Sequence, residues 1–434
     1  MGKILIKGAT VITMESHDAV YPGGEIAVDG QNIVSVGPAG SAPAGFVPDR
    51  IIEAGEMLAL PGFVNCHTHA AMTMLRSYAD DLPLMRWLNE KIWPLEVRLE
   101  EDDVYWATML CCLEMIRCGT TTFADMYFHM FKVAEAVEKA GIRADLSRGM
   151  VGVGPEAESA IQYSRDFAAR WHGQAGGRIT VRLGPHAPYT CPPDYLKKVI
   201  GLAEELNLGI HIHLAETLSE MEEINSKYGL SPIRLADSVG LFDLPVLAAH
   251  CVHVDSADIE ILAKKGVGVA HNPESNMKLA SGVAPVTAML KAGVTVGLGT
   301  DGAASNNNLD MLEEMRSAAL LQKVSTMDPL ALPSFQALRL ATAGGAGALG
   351  KGGEIGQLKA GYKADIILLE TRKPHLFPRN DWMAHLVYSA QSSDVDTVII
   401  DGQVVMEGRK VLTIDEEEVF QQIQSRAERL VGRK

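Results

Sequence analysis

Apolar and polar positions alternate at both ends of the chain, whereas the middle carries continuous apolar runs. Near the start, β-rich stretches at 4–6, 10–13, 25–28 and 33–36 are separated by Gly23-Gly24 and Asp29-Gly30, the turn formers that connect short strands. Toward the end, stretches at 364–369, 395–401, 403–406 and 410–414 alternate with Asp401-Gly402 and Glu407-Gly408. Val28-Asp29-Gly30-Gln31 is echoed by Ile400-Asp401-Gly402-Gln403. The pattern predicts that both termini build one small β-domain together.

Between them, apolar runs ending in polar residues recur at 60–64, 121–124, 144–146, 179–183, 209–212, 246–249, 267–270 and 294–298. Helix-forming stretches such as 131–140 and 259–265 separate them. Strands alternating with helices in this number predict an α/β fold, a closed (β/α)₈ barrel of the TIM type. The expected domains are a β-sandwich from residues 1–55 and 356–434 and a barrel from 56–355. Chemistry in such barrels sits where the strands end, so the polar residues closing each run are the ones to inspect.

Composition narrows the function classes. Hydrophobic residues make up 47% of the chain and charged ones 21%, enough to build a large core and incompatible with disorder. The formal charge of −15 argues against nucleic acid or an anionic membrane as partner. Cys66, Cys111, Cys112, Cys118, Cys191 and Cys251 form no C-x-x-C pair, so reduced thiols in the cytoplasm are expected. No signal-like start and no apolar run of about 18 residues occurs. A soluble enzyme acting on a small molecule is the class that remains, and the sequence leaves room for a homo-oligomer.

The first barrel run leads into His67-Thr68-His69, two imidazoles on one face of a strand. The fifth leads into His211-Ile212-His213-Leu214-Ala215-Glu216. Parity does not choose between His211 and His213, but His213 is nearer the strand's end; a buried core histidine is the alternative for His211. Glu216 stands where a carboxylate can lean over a metal site, or where a helix N-terminus favours an acid. The sixth run ends at His250, followed by His253, the seventh at His271 and the eighth near Asp301. Each alone fits a cap or turn; together at successive strand ends they predict a metal site. Histidines with an aspartate suit Zn²⁺, with Fe²⁺ or Mn²⁺ as alternatives. A divalent cation brings the pKa of its water to about 7, and a nearby Glu can shuttle the proton. The predicted chemistry is hydrolysis of a C–N or similar bond. No Walker A loop competes, and Gly344-Gly345-Ala346-Gly347 reads as close packing.

The motifs 61–69, 211–217, 299–302 and 353–365, in that order, resemble the amidohydrolase superfamily over essentially the whole chain. Gly184-Pro185-His186 stands at the fourth strand's end, where binuclear members carry a carbamylated lysine, so the resemblance is to the mononuclear deaminase branch. Trp93-Pro94-Leu95-Glu96, Ser147-Arg148-Gly149, 184–189, 271–278 and 301–308 are similar to deaminases of adenine nucleosides. That resemblance implies one metal on His67, His69, His213 and Asp301, with Glu216 protonating the purine ring and His250 orienting the attacking water. It also implies Asp301 and Glu216 as both catalytic and substrate-contacting, Glu96 on the ribose hydroxyls, His186 on the nucleoside and Arg148 on an amino-acid tail. The expected substrates are 5-methylthioadenosine and S-adenosylhomocysteine. Guanine, a pterin or an s-triazine is the alternative within the same chemistry, and a non-catalytic metal-binding barrel the alternative outside it. Taken without the resemblance, Glu96 lies in a charged stretch where most acids are merely solvated.

Overall fold

Eight parallel strands occupy the middle of the chain: β1 (Phe63–Thr68), β2 (Thr120–Tyr127), β3 (Arg143–Met150), β4 (Ile179–Pro185), β5 (Ile210–Leu214), β6 (Val246–His250), β7 (Gly268–His271) and β8 (Thr295–Leu298). Each pairs with its neighbour in chain order. Every residue of β1, β2, β5, β6 and β7 is buried. A parallel sheet covered by helices requires this, and it explains why these runs are continuous rather than alternating. Helices Met130–Ala140 and Ser256–Lys265 fall on the predicted helical stretches.

The computed structural model, which describes residues 2–432, closes the barrel where β8 meets β1. The Asp301 amide donates to the His67 carbonyl at 2.9 Å. Asn65 locks the same seam, its amide donating to the Thr300 hydroxyl (2.7 Å) and its oxygen accepting from the Thr300 amide (3.1 Å). A Cβ at Gly299 would stand 2.4 Å from Asn272 Oδ1 and 2.8 Å from the His67 nitrogen. Only glycine allows the backbones to approach this closely.

The run expected to form one strand at 60–64 is divided between two sheets. Met57–Pro61 belongs to the terminal sheet, where it pairs with Lys3–Ile12 and Ile366–Glu370, and β1 begins at Phe63. Both pieces are buried, so hydrophobicity alone carries no mark of the crossing between them. The terminal sheet also contains Val20–Asp29, Asn32–Gly37, Arg50–Glu53, Val395–Ile400, Gln403–Glu407 and Lys410–Val411. Lys3–Ile12 is one strand where two were expected, because Gly8 at φ +85° forms a bulge rather than a turn. Side chains in this sheet alternate. Leu58, Leu60, Ile367 and Leu369 join the barrel core, while Ala59, Ile366 and Leu368 face a separate small core with Ile6, Ile26 and Ile399.

A buried ion cluster joins the two sheets. Arg143, at the foot of β3, reaches Asp365 at 2.9 Å and Asp401 at 3.1 Å, and all three are buried. Asp365 is the last residue of the motif at 353–365. Removing one member of such a cluster leaves uncompensated charge, at a cost of about 3–5 kcal/mol. Arg143→Met is therefore expected to lower the denaturant midpoint by an amount on that scale. An unchanged midpoint in chemical denaturation would show that the cluster contributes nothing to joining the sheets.

Candidate active site

His67 and His69 leave β1 side by side, His213 lies near the end of β5, and Asp301 follows β8. Candidate ligand atoms of His67, His69 and His213 lie within 4.8 Å of one another, as do those of His67, His250 and Asp301. Asp301 Oδ1 stands 3.5 Å from His67 Nε2 and 3.2 Å from His69 Nε2. His67 Nε2 is buried without a hydrogen-bond partner, which costs its desolvation unless a ligand meets it. The other ring nitrogens are tied off. His69 Nδ1 donates to the Met126 carbonyl (2.6 Å) and His213 Nδ1 to the His186 carbonyl (2.7 Å). This arrangement turns the Nε2 lone pairs inward, as metal-ligating histidines require. The residues fit one divalent cation bound by nitrogen and carboxylate donors.

Asp301 is fixed as firmly as the histidines it faces. Burial works to raise its carboxyl, but the imidazoles of His67 and His69 outweigh burial and hold it well below the usual carboxylate range. Its Oδ2 accepts from Ser275 (2.6 Å) and Ser305 (3.1 Å), and its Oδ1 from the Gly302 amide (2.8 Å). Asp301 (φ +60°), His250 (φ +73°) and Ala215 (φ +54°) all adopt left-handed backbone at the strand ends. Non-glycine residues there cost of order 1–3 kcal/mol each and persist only where the surroundings enforce them.

Glu216 and His250 lie beside the cluster, with Glu216 Oε2 3.7 Å from His250 Nε2. Ser281 donates to the other oxygen of Glu216 at 3.4 Å. Burial pushes the Glu216 carboxyl up, toward the form that holds a proton. His250 Nδ1 faces Asn276 Oδ1 at 2.9 Å; donation there leaves Nε2 as an acceptor toward Glu216.

A cavity of about 730 Å³ opens from this cluster, a size typical of small-molecule sites. Glu96, Arg148 and His186 line it together with Glu216, His250 and Asp301, so the predicted site residues converge. Glu96 is not merely solvated. It closes the short helix Trp93–Glu96, after a π-turn at Leu88–Ile92, and accepts from the Tyr127 hydroxyl at 2.7 Å. Burial raises the Glu96 carboxyl, and Tyr127 and His69 oppose that rise. His186 Nδ1 is paired with Thr190 at 2.9 Å. Burial, reinforced by His69 and His67, brings its pKa down to about 4 and keeps the ring neutral. Burial also lowers the pKa of Arg148, whose guanidinium donates to the Gly149 carbonyl.

The sequence analysis left the roles of His211, His253 and His271 open and missed Glu220. His211 lies behind His67, with its Nε2 2.8 Å from His67 Nδ1. The donor order that frees His67 Nε2 runs from His67 Nδ1–H to His211, from His211 to Ser147 Oγ (3.3 Å), and from Ser147 to the Asp125 carbonyl (2.7 Å). Glu220 accepts from the amides of Ala215 (3.0 Å) and Glu216 (2.8 Å) and so fixes the turn that aims Glu216. Its spacing, four residues after Glu216, is the one signal the sequence carried. His253 donates to the Ser281 carbonyl at 2.7 Å. His271 is buried with neither ring nitrogen partnered among the described residues.

The model of the Amidohydrolase family matches residues 58–405. A 5-methylthioadenosine/S-adenosylhomocysteine deaminase of Pelotomaculum thermopropionicum is 66% identical over 100% of both chains. A zinc-bound crystal structure of an adenosine deaminase from Xanthomonas campestris superposes with a TM-score of 0.95 at 34% identity, covering 99% of this chain and 98% of that one. The zinc complex of atrazine chlorohydrolase from Arthrobacter aurescens does so with 0.90 at 26%, covering 98% of this chain and 100% of that one. With the barrel, the histidine cluster and the motif order all in agreement, the chain belongs to the amidohydrolase family.

Proposed function

We propose that the chain is a metal-dependent deaminase of adenine nucleosides, converting 5-methylthioadenosine and S-adenosylhomocysteine to their inosyl products and ammonia. The observation that carries this reading is the convergence, in one cavity, of the histidine–aspartate cluster, buried Glu216, and the polar pair Glu96 and Arg148. The printed name of the Pelotomaculum relative supports the substrate pair. His67, His69, His213 and Asp301 would hold one divalent cation. Zn²⁺ is preferred over Fe²⁺ or Mn²⁺, as zinc occupies the related solved structures. Bound there, the cation supplies Lewis acidity and a water nucleophile at neutral pH.

The chain's own groups do the rest. Glu216, kept protonatable by burial, delivers a proton to the purine ring nitrogen as water adds to C6. His250 orients that water through Nε2, and Asp301 takes up its proton. The exocyclic amine takes the proton held by Asp301 and leaves as ammonia, while the C6 hydroxyl returns a proton to Glu216 as the carbonyl forms. Glu96, fixed by Tyr127, accepts from the two ribose hydroxyls, and His186 contacts the nucleoside. Arg148 pairs with the carboxylate of the longer substrate through two parallel charge-assisted bonds. A halogenated or aminated s-triazine is the second reading, favoured by the likeness to atrazine chlorohydrolase; such a ring has no vicinal hydroxyls for Glu96 and no carboxylate for Arg148. Among the described residues no helix is long and apolar enough to cross a membrane, and the charge of −15 disfavours anionic partners; the reading places the enzyme in the cytoplasm.

Metal content is the first test. Protein prepared without chelator is expected to carry one tightly held divalent ion per chain by elemental analysis; two would overturn the mononuclear assignment. Glu216→Gln should retain fold and metal yet slow deamination by about 10²-fold or more, and turnover close to wild type would move the proton transfer to another residue. Arg148→Met should cut kcat/KM for S-adenosylhomocysteine by roughly tenfold to a hundredfold, the scale of a charged hydrogen bond. The loss should appear mainly in KM, because the tail lies far from C6. Equal losses on 5-methylthioadenosine would remove Arg148 from the tail site.

A further inference from the structure

Arg148 is held differently from Arg143 at the foot of the same strand. Its guanidinium lies 4.9 Å from the centre of the Phe128 ring and 5.5 Å from that of Tyr163. Among the described residues it forms no ion pair, and the Gly149 carbonyl beside it is its hydrogen-bond acceptor. Glu156 influences it electrostatically but is not bonded to it. A carboxylate neighbour would occupy the planar fork of N–H donors. Aromatic faces attract the cation by their quadrupole and leave donors at the edge of the guanidinium plane free. All three side chains line the cavity.

The aromatic pair is itself anchored. The Tyr163 hydroxyl accepts from the Phe131 amide at 3.3 Å, and its ring packs edge-on against Phe131 with centroids 5.3 Å apart. Phe128 packs against Tyr127 at 5.2 Å, and Tyr127 is the residue that fixes Glu96. Adjacent residues at the end of β2, Tyr127 and Phe128, thus hold Glu96 and Arg148.

We infer that Phe128 and Tyr163 form an aromatic clamp that positions Arg148 with its donor edge open, and that this clamp sets the preference for nucleosides ending in a carboxylate. The inference rests on the reading of Arg148 given above. Both are positioning residues: they act on substrate selection through the guanidinium.

The test uses the purified metal-containing enzyme and the ratio of kcat/KM for S-adenosylhomocysteine to that for 5-methylthioadenosine. Phe128→Leu and Tyr163→Leu are each expected to lower this ratio by about 3- to 30-fold, the range of a cation–π contact, with the change in KM for the longer substrate. Tyr163→Phe should preserve the ratio, because it keeps the ring and loses only the hydroxyl. In an Arg148→Met background, Tyr163→Leu should lower the ratio no further, since the two act as one unit. A ratio that falls in Arg148→Met but in neither leucine variant overturns the clamp and leaves the Arg148 reading standing. A ratio that Arg148→Met itself leaves unchanged overturns both. A further fall in the double variant also overturns the clamp, by showing that Tyr163 meets the substrate directly.

Discussion

Closure of the barrel and assembly of the metal cluster depend on the same few atoms. The Asp301 amide closes the seam onto His67, and the Asp301 carboxylate faces His67 and His69 across that seam. The imidazoles packed into this small volume must each dispose of a second nitrogen, and burial penalises any that fails. His69 and His213 use backbone carbonyls, and His67 uses His211. Once those bonds are made, the remaining lone pairs can only point at one another. That convergence is unfavourable without a cation and favourable with one, which is why these residues fit a divalent cation. The left-handed backbone at Ala215, His250 and Asp301 belongs to the same economy, because it turns the chain back over the cluster at three strand ends.

Much of this was legible in the sequence, for a physical reason. Strands of a parallel barrel are buried on both faces, so they appear as uninterrupted apolar runs, and the polar residue that ends each run emerges at the catalytic rim. His67, His69, His213, His250 and Asp301 could be located by that rule. The rule failed where burial continued through a change of sheet, as between Met57–Pro61 and β1. It was also silent on partnerships made across the fold. His211 meets His67 over 144 positions, and Arg143 meets Asp365 over 222, and no local pattern announces either. Glu96 shows the same limitation in another form. Its neighbours suggested a solvated face, and only the bond from Tyr127 shows that it turns into the cavity.

The two arginines of strand β3 are partnered in different ways. Arg143, at its foot, is surrounded by Asp365 and Asp401, and its charge is spent inside the protein joining two sheets. Arg148, toward the other end of the same strand, has aromatic faces instead of carboxylates. The two solutions have different consequences. The buried carboxylates accept from Nε and Nη2 of Arg143 and make its removal costly to stability. Aromatic faces stabilise the cation only in part and leave its donors unsatisfied, so an incoming carboxylate gains more than it would from an arginine already paired. Carboxylates from outside the strand hold Arg143 at the foot of β3, whereas aromatic rings hold Arg148 where the strand reaches the cavity. On the proposed reading, a guanidinium without a carboxylate partner at that end is what allows a substrate carboxylate to bind.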